Sequence, residues 1–525
     1  MRTAGYRCLA CWFAAALACA GTSGCTSLSE YVHNRFKVGP NYAVPAAPLA
    51  PDWIDAADKR VRKPGEDLSA WWKVFNDPVL DDLIETAYRQ NLTLRQAGFR
   101  IVQARAQLGI AVGNLLPQTQ TASGSYNWQA ISRETANSLI TTTGFNRSRF
   151  FGQWEYTFNL AWEIDFWGRY RRAIESNKAS LDFAVADYDD AVVTLLGEVA
   201  TSYVNMRVTE KRIEYAEANA VLQRKTVEVL EARKKVDVGG ELKADQAHAL
   251  LAQTQAAIPE LEILLRQTTN QLCILLGIPP EDLRTKLGPA TIPTAPVYVA
   301  AGIPADLLRR RPDIRRAERF AAAQCAQIGI AEADFYPRIS LVGDFGYSAE
   351  FFKNLWRSPA FMGSFGPSFQ WQILNYGRIL NNVRLQDARF QERVAAYEAA
   401  VLNGQQEVEN GLATFLKAQV RAKSQAESVV YADRSVKIVL EQYKLGVATI
   451  SQLILIEQNL VTQQDTLAQA QGEIALGLIQ VYRAMGGGWE IRLANGRPHL
   501  GPLEMMCEPV SEPAPLPPDS PNSSR

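Results

Sequence analysis

Residues 151–164 read Phe-Gly-Gln-Trp-Glu-Tyr-Thr-Phe-Asn-Leu-Ala-Trp-Glu-Ile. Trp154, Tyr156, Phe158, Leu160, Trp162 and Ile164 fall at alternate positions, with Gln153, Glu155, Thr157, Asn159 and Glu163 between them. A period of two places the two sets on opposite faces of a β-strand. The pattern returns over Pro337–Ser348, with Ile339, Leu341, Phe345 and Tyr347 against Arg338, Ser340, Asp344 and Ser348. It returns again over Phe361–Ile373, with Phe365, Phe369, Trp371 and Ile373 against Ser364, Ser368, Gln370 and Gln372. Residues 118–128 alternate more weakly and are assigned as a strand from their place in the repeat described next. An aromatic outer face over a polar inner face is the pattern of a transmembrane β-barrel with a wet lumen. A soluble sandwich alternates in the same way, so the flanking sequence has to separate the two.

Working outward, the chain carries its design twice. Asn91–Ala111 reappears as Arg311–Ala331, with Leu94/Ile314, Arg95/Arg315, Ala97/Ala317, Gln107/Gln327, Gly109/Gly329 and Pro117/Pro337 aligned at an offset of 220. Trp162–Arg169 (WEIDFWGR) matches Trp371–Arg378 (WQILNYGR) at an offset of 209, so the first copy has a longer loop between its strands. Each copy predicts a helix, two strands and a long helical hairpin, an internal duplication of one structural unit. The first runs over 71–276, with strands near 118–130 and 150–164 and a hairpin near 170–276. The second runs over 305–489, with strands near 337–349 and 361–373 and a hairpin near 378–485. Six prolines over 277–304 mark the linker between them.

The hairpin helices are unusually long. No proline occurs between Arg169 and Pro259, or between Pro367 and Pro498. Ile174, Leu181, Tyr188 and Leu195 recur every seven residues, as do Val185, Val192, Val199, Met206 and Ile213. Two offset seams on one helix predict neighbours on both sides, as in a cylinder of coiled helices. Four strands cannot close a barrel, and open edges cannot sit in lipid. Several chains would each have to contribute four strands, and a head-to-tail ring of three gives twelve.

Residues 1–24 read as a lipoprotein signal peptide: Arg2 and Arg7, an apolar Cys8–Ala20 stretch, then Thr22-Ser23-Gly24 before Cys25. Cys25 is the predicted lipidation site and first residue of the mature chain, heading an N-terminal arm over 25–70. Cys273, Cys325 and Cys507 show no disulfide spacing, and His33, His248 and His499 no metal-ligand spacing. No phosphate loop, nucleophile elbow or paired acid–base group is present, so no catalytic, cofactor-binding or metal site is assigned. With 55 basic and 55 acidic residues the chain has no electrostatic basis for a nucleic-acid role. Residues 490–525 form a tail, with six prolines over Glu508–Arg525 that predict disorder.

Two stretches carry a family resemblance. Val38-Gly39-Pro40-Asn41-Tyr42, with Trp71-Trp72-Lys73-Val74-Phe75-Asn76-Asp77-Pro78, is similar to the opening of the outer membrane factor family. Ile303–Ile314 (IPADLLRRRPDI), with Ala317-Glu318 and Tyr336-Pro337, resembles that family's central signature. The branch is that of TolC-like lipoprotein channels, NodT or OprM type, serving resistance–nodulation–division (RND) pumps. The resemblance implies a mixed α/β membrane protein: a homotrimeric twelve-stranded β-barrel in the outer membrane, continuous with a long α-helical barrel, plus a small equatorial domain. It implies an exit channel for small molecules delivered by an inner-membrane RND pump through a periplasmic adaptor (membrane fusion protein). A type I protein-secretion duct shares this architecture, and a non-conducting coiled-coil envelope lipoprotein is the reading from another class.

The resemblance also places the periplasmic tip. In the second copy the turn is Tyr443–Thr449, and in the first Asp237–Glu241. Val238, Gly239, Leu445, Gly446 and Val447 are the implied adaptor contacts. TolC-type channels carry a ring of carboxylates six and nine residues after the second-copy glycine, where this chain has Gln452 and Leu455. An apolar constriction gates by dewetting rather than by charge. The expected gate is therefore Leu455 or a near neighbour, with Gln452 beside it and Tyr443 in the closed packing. Glu241 and Asp245 are the first-copy alternatives.

Overall fold

A computed structural model describes residues 27–62, 67–130, 132, 150–234 and 240–494. In chain order the main elements are α1 Leu28–His33, β1 Val61–Arg62, α2 Pro78–Gln90, α3 Leu92–Gly113, β2 Thr119–Ala130, β3 Phe150–Ile164, α4 Arg169–Lys234, α5 Gly240–Leu276, β4 Val299–Ala300, α6 Pro312–Ala333, β5 Arg338–Ala349, β6 Phe361–Gln370, α7 Arg378–Lys444 and α8 Ile450–Ala484. The succession helix, strand, strand, long helix, long helix occurs twice. With 66 and 67 residues, α4 and α7 are each roughly 100 Å long at ~1.5 Å per residue. α5 continues through Pro259, giving up the backbone hydrogen bond that the ring nitrogen cannot donate.

The chain forms two compact units. The first comprises the N-terminal arm to Pro48, Ile101–Ala186 and Asp313–Val401. Its centre is an antiparallel sheet in the order β2-β3-β5-β6. The register aligns like with like: Tyr156 faces Tyr347, Phe158 faces Phe345, Trp162 faces Leu341 and Ile164 faces Ile339. Asn159 faces Asp344 and Glu163 faces Ser340, so the polar set stays together on the other face. β6 ends at Gln370, short of the expected 373. It is an edge strand carrying Pro367, which an edge tolerates because its missing N–H faces away from the ladder. Beyond it the Trp371 indole donates to the Phe335 carbonyl at 2.9 Å instead of continuing the strand.

The Gly-Arg pairs of the duplicated motif turn strand into helix. Gly168 and Gly377 have φ of +82° and +80°, a region that side chains with a Cβ enter at a cost. After the first corner Asp165 accepts from the backbone N–H groups of Tyr170 and Arg171, both at 3.0 Å, and so caps α4. The arm is pinned there too: buried Arg172 donates to the carbonyls of Val38 at 3.0 Å and Gly39 at 2.6 Å.

The second unit comprises Leu49–Arg100, Asp187–Pro312 and Leu402–Arg525. Here the seams of α4 are buried, with Tyr188, Val192, Val199 and Met206 fully enclosed. Asp77 caps α2 by accepting from Val79 and Leu80, and its second oxygen accepts from the Tyr203 hydroxyl at 2.8 Å. One turn on, Arg207 donates to the Gly288 carbonyl at 2.8 Å and pairs with Glu210 at 2.9 Å, tying the inter-repeat linker to α4. β1 and β4 make a short parallel pair. From the central signature, Arg311 donates to the Ala484 carbonyl at 2.5 Å and pairs with Glu407 at 2.8 Å, joining the C-terminus of α8 to α7.

Candidate functional site

Two places in the molecule can serve a conduit: the two-faced sheet of the first unit and the helical turn of the second. On the sheet's polar face, hydroxyls, amides and a carboxylate bond across strands. Ser123 Oγ lies 2.8 Å from Thr157 Oγ1, Gln153 donates to Ser348 at 2.9 Å, and Ser364 donates to Asp344 at 2.5 Å. The other face is aromatic and largely open: Tyr126, Trp128, Tyr156, Phe158, Phe361, Phe365 and Phe369 are all exposed. Leaving such a continuous apolar surface in water would be strongly unfavourable, and a large exposed apolar patch marks a contact with lipid or protein.

The aromatic face is banded. Near one end Tyr126 packs on Trp154 at 4.6 Å. At the helix end Trp162 and Trp371 spend their indole N–H groups on the backbone carbonyls of Leu115 and Phe335. Indole rings with a wet polar tip and an apolar body suit the two membrane–water boundaries. Eight residues separate Trp154 from Trp162, roughly 27 Å along a strand at ~3.4 Å per residue. At a tilt of about 40° this is about 21 Å across a bilayer, close to the ~25 Å apolar band of outer-membrane barrels.

The turn in the second unit is built by capping. α7 ends at Lys444, Gly446 has φ +78°, and Val447 N–H donates to Gln442 O at 2.9 Å while Gly446 N–H donates to Tyr443 O at 3.0 Å. This is a Schellman closure, in which a left-handed residue lets the last carbonyls find donors. Thr449 then caps α8 and exchanges hydrogen bonds with Gln452, at 3.4 Å and 3.0 Å. Beneath the turn Val227 and Leu230 of α4, Ala244, Ala247 and Leu251 of α5, Tyr443 of α7, and Ile450 and Leu453 of α8 form one apolar cluster.

The structure sorts the predicted site residues. Tyr443 is buried in that cluster, Gln452 is exposed and engaged in the helix cap, and Leu455 is 66% exposed. Between 450 and 462 Leu455 is the one apolar side chain among the exposed positions of α8. Leu445 and Val447 flank Gly446 at 79% and 76% exposure. Glu241 and Asp245 are exposed on α5, which begins at Gly240, so Glu241 belongs to the first helical turn rather than to the loop. Cys25, Val238 and Gly239 lie outside the described residues.

Sequence reasoning missed a buried polar group beside the cluster. Glu457 of α8 is 2% exposed and accepts from the Thr226 hydroxyl of α4 at 2.7 Å; burial pushes its carboxyl pKa up. The amide of Gln223, one turn away on α4, is buried with neither polar atom hydrogen-bonded. The signal was legible, since Leu453, Glu457 and Leu460 step by four and three along one seam, and a carboxylate there has to be enclosed. Elsewhere in this unit a cavity of about 910 Å3 opens between α4, the linker and α8, lined by Glu210, Tyr215, Pro293 and Gln471 among others. Charged groups on its wall pair with one another, Lys211 with Glu214 at 2.8 Å and Arg284 with Glu210 at 3.7 Å.

A sheet with one exposed aromatic face and one polar face, together with long paired helices, defines an outer-membrane channel subunit. Residues 83–278 and 303–487 match the family model described as outer membrane efflux protein, and the chain belongs to that family. It is 31% identical over 457 residues to nodulation protein T of Rhizobium leguminosarum bv. trifolii, covering 86% of this chain and 94% of that one. It is 29% identical over 420 residues to the pyoverdine export outer membrane protein OpmQ of Pseudomonas putida, covering 80% and 88%. Among solved structures it is similar to the outer-membrane channel OprN, with a TM-score of 0.79, 31% identity, and coverage of 86% of this chain and 99% of that one. The chain is thus an efflux channel component of the cell outer membrane with a periplasmic extension.

Proposed function

We propose that three copies of this chain close one twelve-stranded barrel and form the passive exit duct of a tripartite efflux system. A single observation carries the reading: the four-stranded sheet keeps its aromatic side chains, Phe151 at the start of β3 excepted, on one face and its hydrogen-bonded polar side chains on the other, and ends in two open edges, β2 and β6. In lipid an open edge leaves backbone donors and acceptors without partners, at several kcal/mol each. Pairing β6 of one chain with β2 of the next removes every edge, and three chains give a lumen wide enough to stay wet. The polar face then lines the lumen and the aromatic face meets lipid.

Cys25 carries the lipid in this reading, anchoring the arm without being needed to close the barrel; an unmodified mature N-terminus by intact mass would remove it. The exposed Leu445 and Val447 offer a periplasmic adaptor an apolar contact at the turn. Leu455 narrows the closed tip, Gln452 holds the helix cap, and Tyr443 locks the hairpins together. Energy comes from the inner-membrane RND pump, since conduction through a wet pore needs no chemistry from this chain. Purified protein added to planar bilayers will give discrete conductance steps. A folded trimer that inserts and never conducts would overturn the duct.

A further inference from the structure

The connection between β5 and β6, residues 350–360, folds back onto the aromatic face of the sheet. Phe352 meets Trp154 edge-on at 5.1 Å, and Trp356 packs on Tyr156 at 5.5 Å and on Tyr347 at 5.4 Å. Leu355 is buried beneath, while Phe351, Phe352 and Trp356 stay more than half exposed. Each packed aromatic is followed directly by a cation, Lys353 after Phe352 and Arg357 after Trp356, and both cations are exposed. The Lys353 ammonium lies 6.0 Å from the Phe351 ring. Glu350 is the one acid in the segment, and the nearest strand carboxylate, Glu155, belongs to the polar face. The segment is therefore amphipathic, with rings towards the apolar face and a net positive charge.

Its level follows from the topology. All four strands join their helices at one end, so the β5–β6 connection lies at the other. With the helices in the periplasm, this end faces the cell exterior, one apolar thickness away from the Trp162 level. Cations that rise from an apolar surface at that depth meet the headgroup layer, and an Arg fork is shaped for bidentate contact with phosphate.

We infer that Phe352, Trp356, Lys353 and Arg357 form a docking site for the phosphate-bearing headgroup of an outer-leaflet lipid. The rings hold the upper acyl region and the two cations hold the phosphate. The inference rests on the barrel reading above, and the trimer would carry three such sites.

The test is native mass spectrometry of purified trimers titrated with bis-phosphorylated lipid A and with its fully dephosphorylated form. Wild-type trimers will retain the phosphorylated lipid preferentially. Lys353→Gln/Arg357→Gln will weaken its retention about 25-fold, from about 5-fold per cation near a lipid phosphate, and leave the dephosphorylated lipid unaffected. Planar-bilayer conductance of the same preparations separates the two readings. If wild type and variant conduct alike but hold both lipids equally, the phosphate site is wrong and the duct stands. If wild-type trimers never conduct, the barrel reading and this site fall together.

Discussion

Glu457 stands on an apolar seam with a hydroxyl as its hydrogen-bond donor, and this has a definite pH signature. A carboxyl whose pKa is higher folded than unfolded binds its proton more tightly in the folded hairpin. Well below the unfolded value both states are protonated and pH has no effect. As pH rises above it towards the raised folded value, the packed state loses stability. Glu457→Gln removes the titration while keeping an acceptor for Thr226. Hydrogen exchange of α8 amides, corrected for intrinsic rates, will rise from pH 5 to pH 8 in wild type and stay flat in Glu457→Gln. Flat profiles in both would show that this carboxyl does not titrate in the packed tip. Leu455 is the complementary case, an apolar side chain left outside on a polar stripe. In the proposed gate Leu455→Ser wets the constriction and will raise resting conductance severalfold, whereas Gln452→Ala, which removes half of a helix cap, will change it slightly. Unchanged conductance in Leu455→Ser places the narrowing elsewhere, with Glu241 and Asp245 next to test.

At the scale of elements, legibility followed how completely one physical rule governed a segment. Over 153–164 the side chains answer only to which face they occupy, so alternation alone marks most of β3. In β2 the apolar face holds Ala122 and Gly124 before Tyr126 and Trp128, and these small residues dilute the period without disturbing the register. The long helices were readable because proline is missing and heptads persist. Tip details were not. A leucine at position 455 fits a seam or a pore equally well on sequence alone, and Tyr443 becomes part of a core only once four helices converge. The two-faced chemistry of the strands gives a sharp expectation. In the proposed barrel Phe158→Arg puts a charge on the lipid face, at about 2–4 kcal/mol near the bilayer midplane, whereas Asn159→Arg puts it in the lumen. Heat-resistant trimer yield from membranes will fall steeply for Phe158→Arg and little for Asn159→Arg. Equal losses would contradict this register.

For the whole molecule, a sheet with two bare edges has to live in a bilayer. None of the described helices is long and apolar enough to cross a membrane. The aromatic face needs lipid and the strand edges need partners. Copies of the same chain satisfy both when β6 of one meets β2 of the next around a ring. Disulfide trapping tests this most directly. One cysteine is placed on β2, at Thr121, Ser123 or Ser125, and one on β6, at Ser364 or Ser368, so that a panel of pairs samples the unknown inter-chain register. Cys507 is replaced by Ser, and Cys273 and Cys325, the free cysteines among the described residues, are buried, which keeps background crosslinking low. After oxidation in outer membranes, at least one pair will give a reducible covalent trimer on denaturing gels, and neither single cysteine will. Monomers alone across the whole panel, or a ladder running past three chains, would contradict the closed twelve-stranded barrel.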